Sequence, residues 1–416
     1  MSLAQMVYPG AVHTRFEHSL GTMHLAYIAS LSIWNDAESN RHTSKACADF
    51  LDQVENKKDF VKAAMTVGLL HDVGHAPFSH VFEMAHDDYD HEDVGYLMSQ
   101  YLLKKANFSG EKWTVWVLEA LNKEKDLTDI SPPAQILRTM VDSKGIDIDK
   151  GDYLLRDSHH CGVSYGYYGW ERVWNNLTVI YDEKDNEKIF KVGITPKAAY
   201  EAYHLLVARF HMYEAVYEHH TKQKIDAVIG YLLRKASGIL APSRKQREED
   251  PQSMLHWSDG FIIFKLIDTF SHESIENIYK RALPSKVKFL KEICIVLPEN
   301  KSEKQRVKKE LKEKVWQLAE KIEFFPYFYS PQEPFPLEAL YEVKVKLPKS
   351  DDTKPLFQAL EIRNVEEVEA TQDPEESPRS SHIRVRPYAY DIEQLQSYQK
   401  EWEEIRQIGS YRSLLQ

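Results

Sequence analysis

The segment GLLHDVGHAPFSH, residues 68–80, sets a histidine and an aspartate side by side at the end of an apolar run. On a helix, adjacent side chains point about 100° apart. His71 and Asp72 therefore reach one ion only if it lies over that helix edge. A borderline cation accepts an imidazole nitrogen and a carboxylate oxygen together. Two ligands do not hold such an ion, so others must come from elsewhere in the chain. His18, in HTRFEHSLG (13–21), and Asp149, in GIDIDKGDYLLRDSHH (145–160), are the candidates. An isolated His-Asp pair is more often a helix-end cap. That reading loses ground here because His75, His80, Glu83, His86 and His91 follow within 20 residues. The chain holds 18 histidines, 15 of them in the first 220 residues, which puts acid–base or metal chemistry in the N-terminal half. His13, His24, His42 and His86 are expected to be structural or surface residues.

Helices must carry these groups. In KKDFVKAAMTVGLL (57–70), Phe60, Val61, Ala64 and Val67 recur at helical spacing, and the next position on that stripe is His71. Gly74 is the expected break. Helices are expected over 113–122 and 134–142, the second opened by Pro132 and Pro133. Residues 197–235 read as one or two long helices. LTVIYDEKDNEKIFKV (177–192) reads as a β-hairpin turning at Asp185 and Asn186. The charged stretch 243–253 is expected to be an exposed loop, and 371–381 a mobile acidic one. Ser302 to Phe324 reads as a Lys/Glu-rich helix with Ser302 and Gln305 spaced as a capping box. Residues 341–348 and 382–390 alternate apolar with charged side chains, as half-buried antiparallel strands do. The expected architecture is mainly α: a helical domain over residues 1–240, then a smaller α+β region over 241–416.

Composition bounds the function classes. A chain of 416 residues suggests two or three domains. Its 43% hydrophobic and 28% charged content is that of an ordinary globular protein, which excludes collagenous, coiled-coil-only and wholly disordered chains. Neither a P-loop nor a dinucleotide-binding glycine fingerprint occurs. A net charge of −11 does not advertise nucleic-acid binding, though it leaves room for a local basic pocket. Cys47, Cys161 and Cys294 are few and far apart, so no disulfide framework or cysteine zinc site is expected. A reducing cytoplasm is the simplest setting. No leader peptide is recognisable, and no apolar run approaches the ~18 residues a membrane helix needs.

The ordered set H…HD…D, carried by YPGAVHTRFEHSLG, LLHDVGHAPFSH and GIDIDKGDYLLRD, resembles the HD-domain phosphohydrolases. It is most similar to their deoxynucleoside triphosphate triphosphohydrolase branch, the dGTPase-like and SAM-and-HD-domain group. The resemblance covers residues 1–240. It implies an all-helical HD-domain core with a β-hairpin insertion, and a divalent metal ion held by His18, His71, Asp72 and Asp149. Mixed nitrogen and oxygen ligation leaves Mn, Fe, Mg, Ni and Zn open. It also implies in-line attack of water on the α-phosphorus, with release of a deoxynucleoside and intact triphosphate.

By the same resemblance His75, Glu83 and His91 form an acid–base set beside the metal. A capping role competes for His91, and simple solvation for Glu83. Arg15, His80, Lys150 and Arg209 would contact phosphates, Arg15 through two parallel hydrogen bonds. An ion pair competes for Arg209. Tyr153 and Asp157 would hold the deoxyribose, with Tyr217 near base and sugar, where ordinary helix packing competes. Dimers or tetramers are implied, and a nucleotide triphosphate as substrate. Members of this group carry several tens of residues ahead of YPGA, including a glutamine that contacts the sugar. Here YPGA begins at Tyr8, so the chain is expected to start late.

Two other readings share these residues. One keeps the metal site for a different substrate: a nucleotidase, a phosphodiesterase or a guanosine-tetraphosphate hydrolase. Arg15, Lys150, Tyr153 and Asp157 weigh against it. The other is a nucleotide-sensing or nucleic-acid-binding regulator with a vestigial site, against which the full ligand set and the net charge weigh.

Overall fold

The computed structural model describes residues 3–184, 187–236, 244–270, 288–289, 293–297, 300–322, 324–329, 337–360, 382–389, 401, 405 and 410–411. Eight helices build the part that carries the site: α1 Arg15–Asn40, α2 Lys45–Val54, α3 Lys57–Leu70, α4 His80–Ala85, α5 His91–Lys105, α6 Lys112–Leu121, α7 Pro132–Val141 and α8 Ile148–Cys161. Their starts are written in the sequence. The Thr14 hydroxyl accepts from Glu17 N while the Glu17 carboxylate accepts from Thr14 N, a capping box for α1. Asn56 caps α3 through Lys58 N, Asp90 caps α5 through Glu92 N, and Asp147 caps α8 through Lys150 N. Helix α8 ends at Gly162, whose φ of +69° is a conformation glycine adopts at little cost.

The apolar stripe of α3 buries Phe60, Ala63, Ala64, Val67 and Leu70. Phe60 meets Phe50 of α2 edge to face, with ring centroids 5.1 Å apart. Helices α1 and α3 approach closely at Gly68, where a Cβ would come within 2.8 Å of Thr22 O. The Thr22 hydroxyl donates to Gly68 O at 2.7 Å. That contact lies one turn from both His18 and His71, and so it registers two candidate ligands against each other.

The hairpin forms as expected, with β1 Leu177–Lys184 antiparallel to β2 Glu187–Ile194; its turn lies outside the described residues. The stretch 197–235 resolves into α10 Ala199–Met212 and α11 His220–Lys235, joined by a π-turn over Tyr213–Tyr217; α9 is the short helix Trp170–Trp174. Beyond these lie α12 Arg244–Glu249, α13 Asp259–Phe270, β3 Lys288–Phe289, β4 Ile293–Val296, α14 Lys301–Ile322, β5 Phe325–Tyr329, α15 Leu337–Glu342, β6 Lys344–Lys346, β7 Thr353–Pro355, α16 Leu356–Ala359, β8 His382–Ala389 and β9 Ser410–Tyr411. Strand β6 pairs parallel with β2, giving the order β1-β2-β6-β7. Strand β8 pairs with β3, β4 and β5 in a second sheet. The fold is therefore mainly α, with the hairpin and a smaller α+β C-terminal region, as the sequence implied.

Four local expectations are corrected. Residues 244–249 form a helix rather than a loop; among its described side chains most are exposed, and Arg247 alone is buried, donating to Asp88 O at 2.6 Å. The long helix is capped by Asn300, whose Oδ1 accepts from Ser302 N and Glu303 N, and not by Ser302. Tyr341 and Glu342 end a helix, so the strand expected over 341–348 shrinks to 344–346. The first helices start one and two residues earlier than expected over 113–122 and 134–142, at Lys112 and Pro132. The acidic stretch 371–381 lies outside the described residues.

Two cores result. One joins α1–α3, α6–α8, α10 and the hairpin, and takes in Val343, Val345, Leu356 and Phe357. The other packs Phe78, Phe82, α11 and α13 against Trp316, Phe325 and Val385.

Candidate active site

His18 stands one turn into α1, His71 closes α3, and Asp149 stands in the first turn of α8. Their ligand atoms all lie within 4.8 Å of one another, a group able to hold a metal ion. His18 Nε2 is 3.1 Å and His71 Nε2 3.5 Å from Asp149 Oδ1. Asp72 lines the same space, with Oδ1 3.6 Å from His71 Nε2 and Oδ2 3.8 Å from His18 Nε2.

The two histidines are held from behind. His18 Nδ1 lies 2.8 Å from Asp152 Oδ2, and His71 Nδ1 lies 2.9 Å from Gly68 O. With Nδ1 engaged from behind, each ring turns its Nε2 toward the carboxylates. His71 Nε2 is buried with no hydrogen-bond partner, an orphaned atom that a cation satisfies. The electrostatics agree. Burial opposes charge on His18, but its bonds to Asp149 and Asp152 outweigh burial and push its pKa up to about 10. Burial would raise the Asp72 and Asp149 pKa values, yet their imidazole neighbours, and Arg15 beside Asp72, hold both below the ordinary carboxylate range. Positive charge is what this pocket lacks, and the donor set fits a divalent ion.

Beside it lies a second group. His75, His80, Glu83 and His91 also converge within 4.8 Å. Glu83 bridges two imidazoles: Oε1 pairs with His91 Nδ1 and accepts His91 N at 3.1 Å, and Oε2 lies 2.9 Å from His80 Nδ1. His75 and His91 stack with centroids 3.9 Å apart. Burial and the nearby Arg15 guanidinium push the His75 pKa down to about 2, so this ring is neutral. Burial also opposes charge on His91, but the Glu83 hydrogen bond and charge raise its pKa overall. Burial would raise the Glu83 pKa, but its hydrogen bonds to His80 and His91 hold it below the usual range. Two stacked imidazoles are thus shifted in opposite directions, His75 down and His91 up, a contrast suited to acid–base chemistry.

The loop carrying these groups is strained. Phe78 and Ser79 have φ of +62° and +53°, left-handed values that cost non-glycine residues of order 1–3 kcal/mol. Phe78 N donates to Asp259 Oδ1 at 3.1 Å, and Arg15 clasps Ser79 Oγ with one nitrogen and Asp72 Oδ2 with the other.

Asp149, Tyr153 and Asp157 recur every four residues on one face of α8. Tyr217, on the π-turn, donates to Asp157 Oδ2 at 2.8 Å and meets Tyr153 edge to face at 5.9 Å. The Arg209 guanidinium covers the Tyr213 ring at 4.7 Å. Tyr217 thus hydrogen-bonds as well as packs, and Arg209 lies against an aromatic ring. Lys150 is committed elsewhere: Nζ binds Asp147 and donates to Ser143 O at 2.7 Å. His80 is largely exposed and tied to Glu83. A cavity of about 140 Å³ adjoins the metal group, lined by His71, Asp72, His91, Tyr96, Arg138 and Asp149.

Sequence reasoning missed Asp152, Arg156, Ser79 and Asp259. Asp152 follows Asp149 by one helical turn, and a second acid on that face was the available signal. Its neighbour Arg156 grips it twice at 2.8 Å. Gly21 makes room for this pair, since a Cβ there would fall 1.8 Å from Asp152 Oδ1. The partnership of Ser79 and Asp259 with the loop is tertiary and left no local trace.

Residues 15–152 match the HD domain and residues 192–323 the HD associated region. A 227-residue stretch is 34% identical to an uncharacterized protein of Methanocaldococcus jannaschii, covering 55% of this chain and 40% of that one. The deoxynucleoside triphosphate triphosphohydrolase SAMHD1 homolog of Dictyostelium discoideum is 28% identical over 309 residues, 70% of this chain and 53% of that protein. Human SAMHD1, a deoxynucleoside triphosphate triphosphohydrolase, is 26% identical over 261 residues, 56% and 39% of the two chains. The chain thus spans about half or less of these relatives. No helix among the described residues is long and apolar enough to cross a membrane. The chain thus carries an HD domain followed by an HD associated region, and it is similar to proteins that include the SAMHD1 triphosphohydrolases.

Proposed function

We propose that this protein is a metal-dependent phosphohydrolase that cleaves deoxynucleoside triphosphates at the α-phosphorus, releasing the deoxynucleoside and inorganic triphosphate. One observation carries the reading: the convergent His18, His71 and Asp149 ligands, edged by Asp72, adjoin the Glu83-bridged histidine set. A bound divalent ion, of Mn, Fe, Mg, Ni or Zn type, would supply an acidified water and draw charge from the phosphoryl group. The remaining work falls to side chains. Arg15 is aimed along the Asp72 edge and presents a planar fork that suits a phosphate. Glu83 raises the pKa of His91 and so favours its charged form, which would protonate the leaving 5′-oxygen. His75, neutral, accepts rather than donates. His80, Lys150 and Arg209 would approach the phosphate chain, Lys150 by exchanging its Asp147 contact for one to substrate. Tyr153, Tyr217 and Asp157 would form the sugar wall, the Tyr153 ring excluding a ribose hydroxyl by shape.

The same reading divides the chain into an HD hydrolase domain over residues 1–240 and a C-terminal region over 241–416, places it in the cytoplasm and assembles it as dimers or tetramers, which light scattering tests. Activity is tested by incubating metal-loaded protein with each dNTP and NTP and separating the products by ion exchange. Inorganic triphosphate from dNTPs supports the proposal; single phosphate or pyrophosphate overturns it.

A further inference from the structure

Asp157 is a buried carboxylate with both oxygens already engaged. Oδ2 accepts from the Tyr217 hydroxyl at 2.8 Å, and Oδ1 lies 2.7 Å from His13 Nε2. The His13 and Asp157 side chains are each 8% exposed. The His13 ring is itself fixed, stacked on His160 with centroids 4.3 Å apart and 23° between planes. With Nε2 on Asp157, His13 Nδ1 remains buried with no partner among the described residues. His13 comes from the loop before α1, Asp157 from α8 and Tyr217 from the π-turn, so three separate elements converge on one carboxylate. Each carboxylate oxygen has a second lone pair. The two donors therefore fix the direction of the group and leave it able to accept one further hydrogen bond.

We infer that His13 is a positioning residue: it locks the Asp157 carboxylate so that its free lone pair meets a hydroxyl of the bound sugar. The inference rests on the deoxynucleotide reading above. On an α-phosphate substrate whose sugar lacks a 2′-hydroxyl, the hydroxyl available is the 3′ one. His13 thus sets selectivity for substrates that carry a 3′-hydroxyl, and it does so without touching the reacting phosphorus.

The test compares dATP with 2′,3′-dideoxy-ATP on the full chain, taking the ratio of their kcat/KM values for the wild type, His13→Ala and His13→Gln. His13→Ala is expected to lower that ratio roughly tenfold to a hundredfold, the range for a hydrogen bond to a charged group. The change should appear chiefly in KM for dATP. Glutamine, whose amide N–H can replace Nε2–H, should restore part of the ratio. In an Asp157→Asn background the His13→Ala change should leave the ratio where it is. Equal losses on both substrates would mean a structural role only and overturn the inference, as would a wild-type ratio near one. A wild type that releases triphosphate from neither substrate overturns the proposed function and this inference with it, so the two failures are distinguishable.

Discussion

His18 Nε2 and Asp149 Oδ1 meet at 3.1 Å across the packing of α1 on α8. The approach is built from both sides, by Asp152 behind the imidazole and by the Asp147 cap that starts α8 two residues before Asp149. Two groups so placed, with His71 and Asp72 beside them, make a centre whose charge balance calls for a cation. Asp149→Asn or Asp72→Ala is expected to abolish bound metal, measured by elemental analysis of the purified protein. Asp152→Asn should keep the fold and weaken metal affinity by about 10–100-fold in a calorimetric titration. Gly21→Ala should act in the same direction, because its Cβ displaces Asp152. Unchanged affinity in both outer variants, Asp152→Asn and Gly21→Ala, would remove the case for an organised backing to His18.

Glu83→Gln should leave metal content intact and lower kcat by about 10²–10⁴. The shape of the pH profile is the sharper readout. Glu83 raises the pKa of His91, so the wild type keeps its acid protonated further into the alkaline range. Without that charge the alkaline fall in rate should move to lower pH. A variant whose activity drops without any displacement of that limb would argue against His91 as the proton donor.

The candidate ligands could be named from the sequence because they sit in long, ordered segments that resemble a known family, and because His71 continues the helical stripe of Phe60, Ala64 and Val67. His75, Glu83 and His91 were named from that resemblance, and the structure brings them together. What could not be read was set by tertiary contact. His13 looks like a structural histidine until α8 brings Asp157 to it. Lys150 looks free until Asp147, its own helix cap, claims the ammonium. Within the helix over 244–249, Arg247 is buried on Asp88 O, a partner far away in sequence. The short strand at 344–346 owes its bounds to pairing with β7, whereas alternation alone suggested a longer one.

His86 predicts a pH dependence of stability away from the proposed centre. It is buried, stacks on Phe82 at 4.1 Å, and takes Phe82 O at 3.0 Å on Nδ1. Burial lowers its pKa below the ordinary 6.5, only partly offset by that backbone bond. In the unfolded chain the ring takes a proton near pH 6.5, while in the folded protein it resists until lower pH. The stability it contributes is therefore complete above 6.5 and is lost as pH falls below it toward the depressed folded value, at up to about 1.4 kcal/mol per pH unit. Denaturant titrations between pH 7.5 and 5.5 should show this slope, and His86→Gln should flatten it. An equal slope in the variant would assign the effect to other groups.

Phe60 tests the first core. It is fully buried between α2 and α3. Phe60→Ala should cost about 3–5 kcal/mol in urea unfolding. A cost below 1 kcal/mol would mean that the neighbouring helices close over the space without penalty.

The central claim is attack of water on the α-phosphorus, and isotope labelling tests it most directly. Metal-loaded protein is incubated with a dNTP in ¹⁸O-labelled water, and the products are weighed by mass spectrometry. The account predicts one ¹⁸O in the released triphosphate and none in the deoxynucleoside. Label in the deoxynucleoside, or label carried by single phosphate or pyrophosphate, would contradict it.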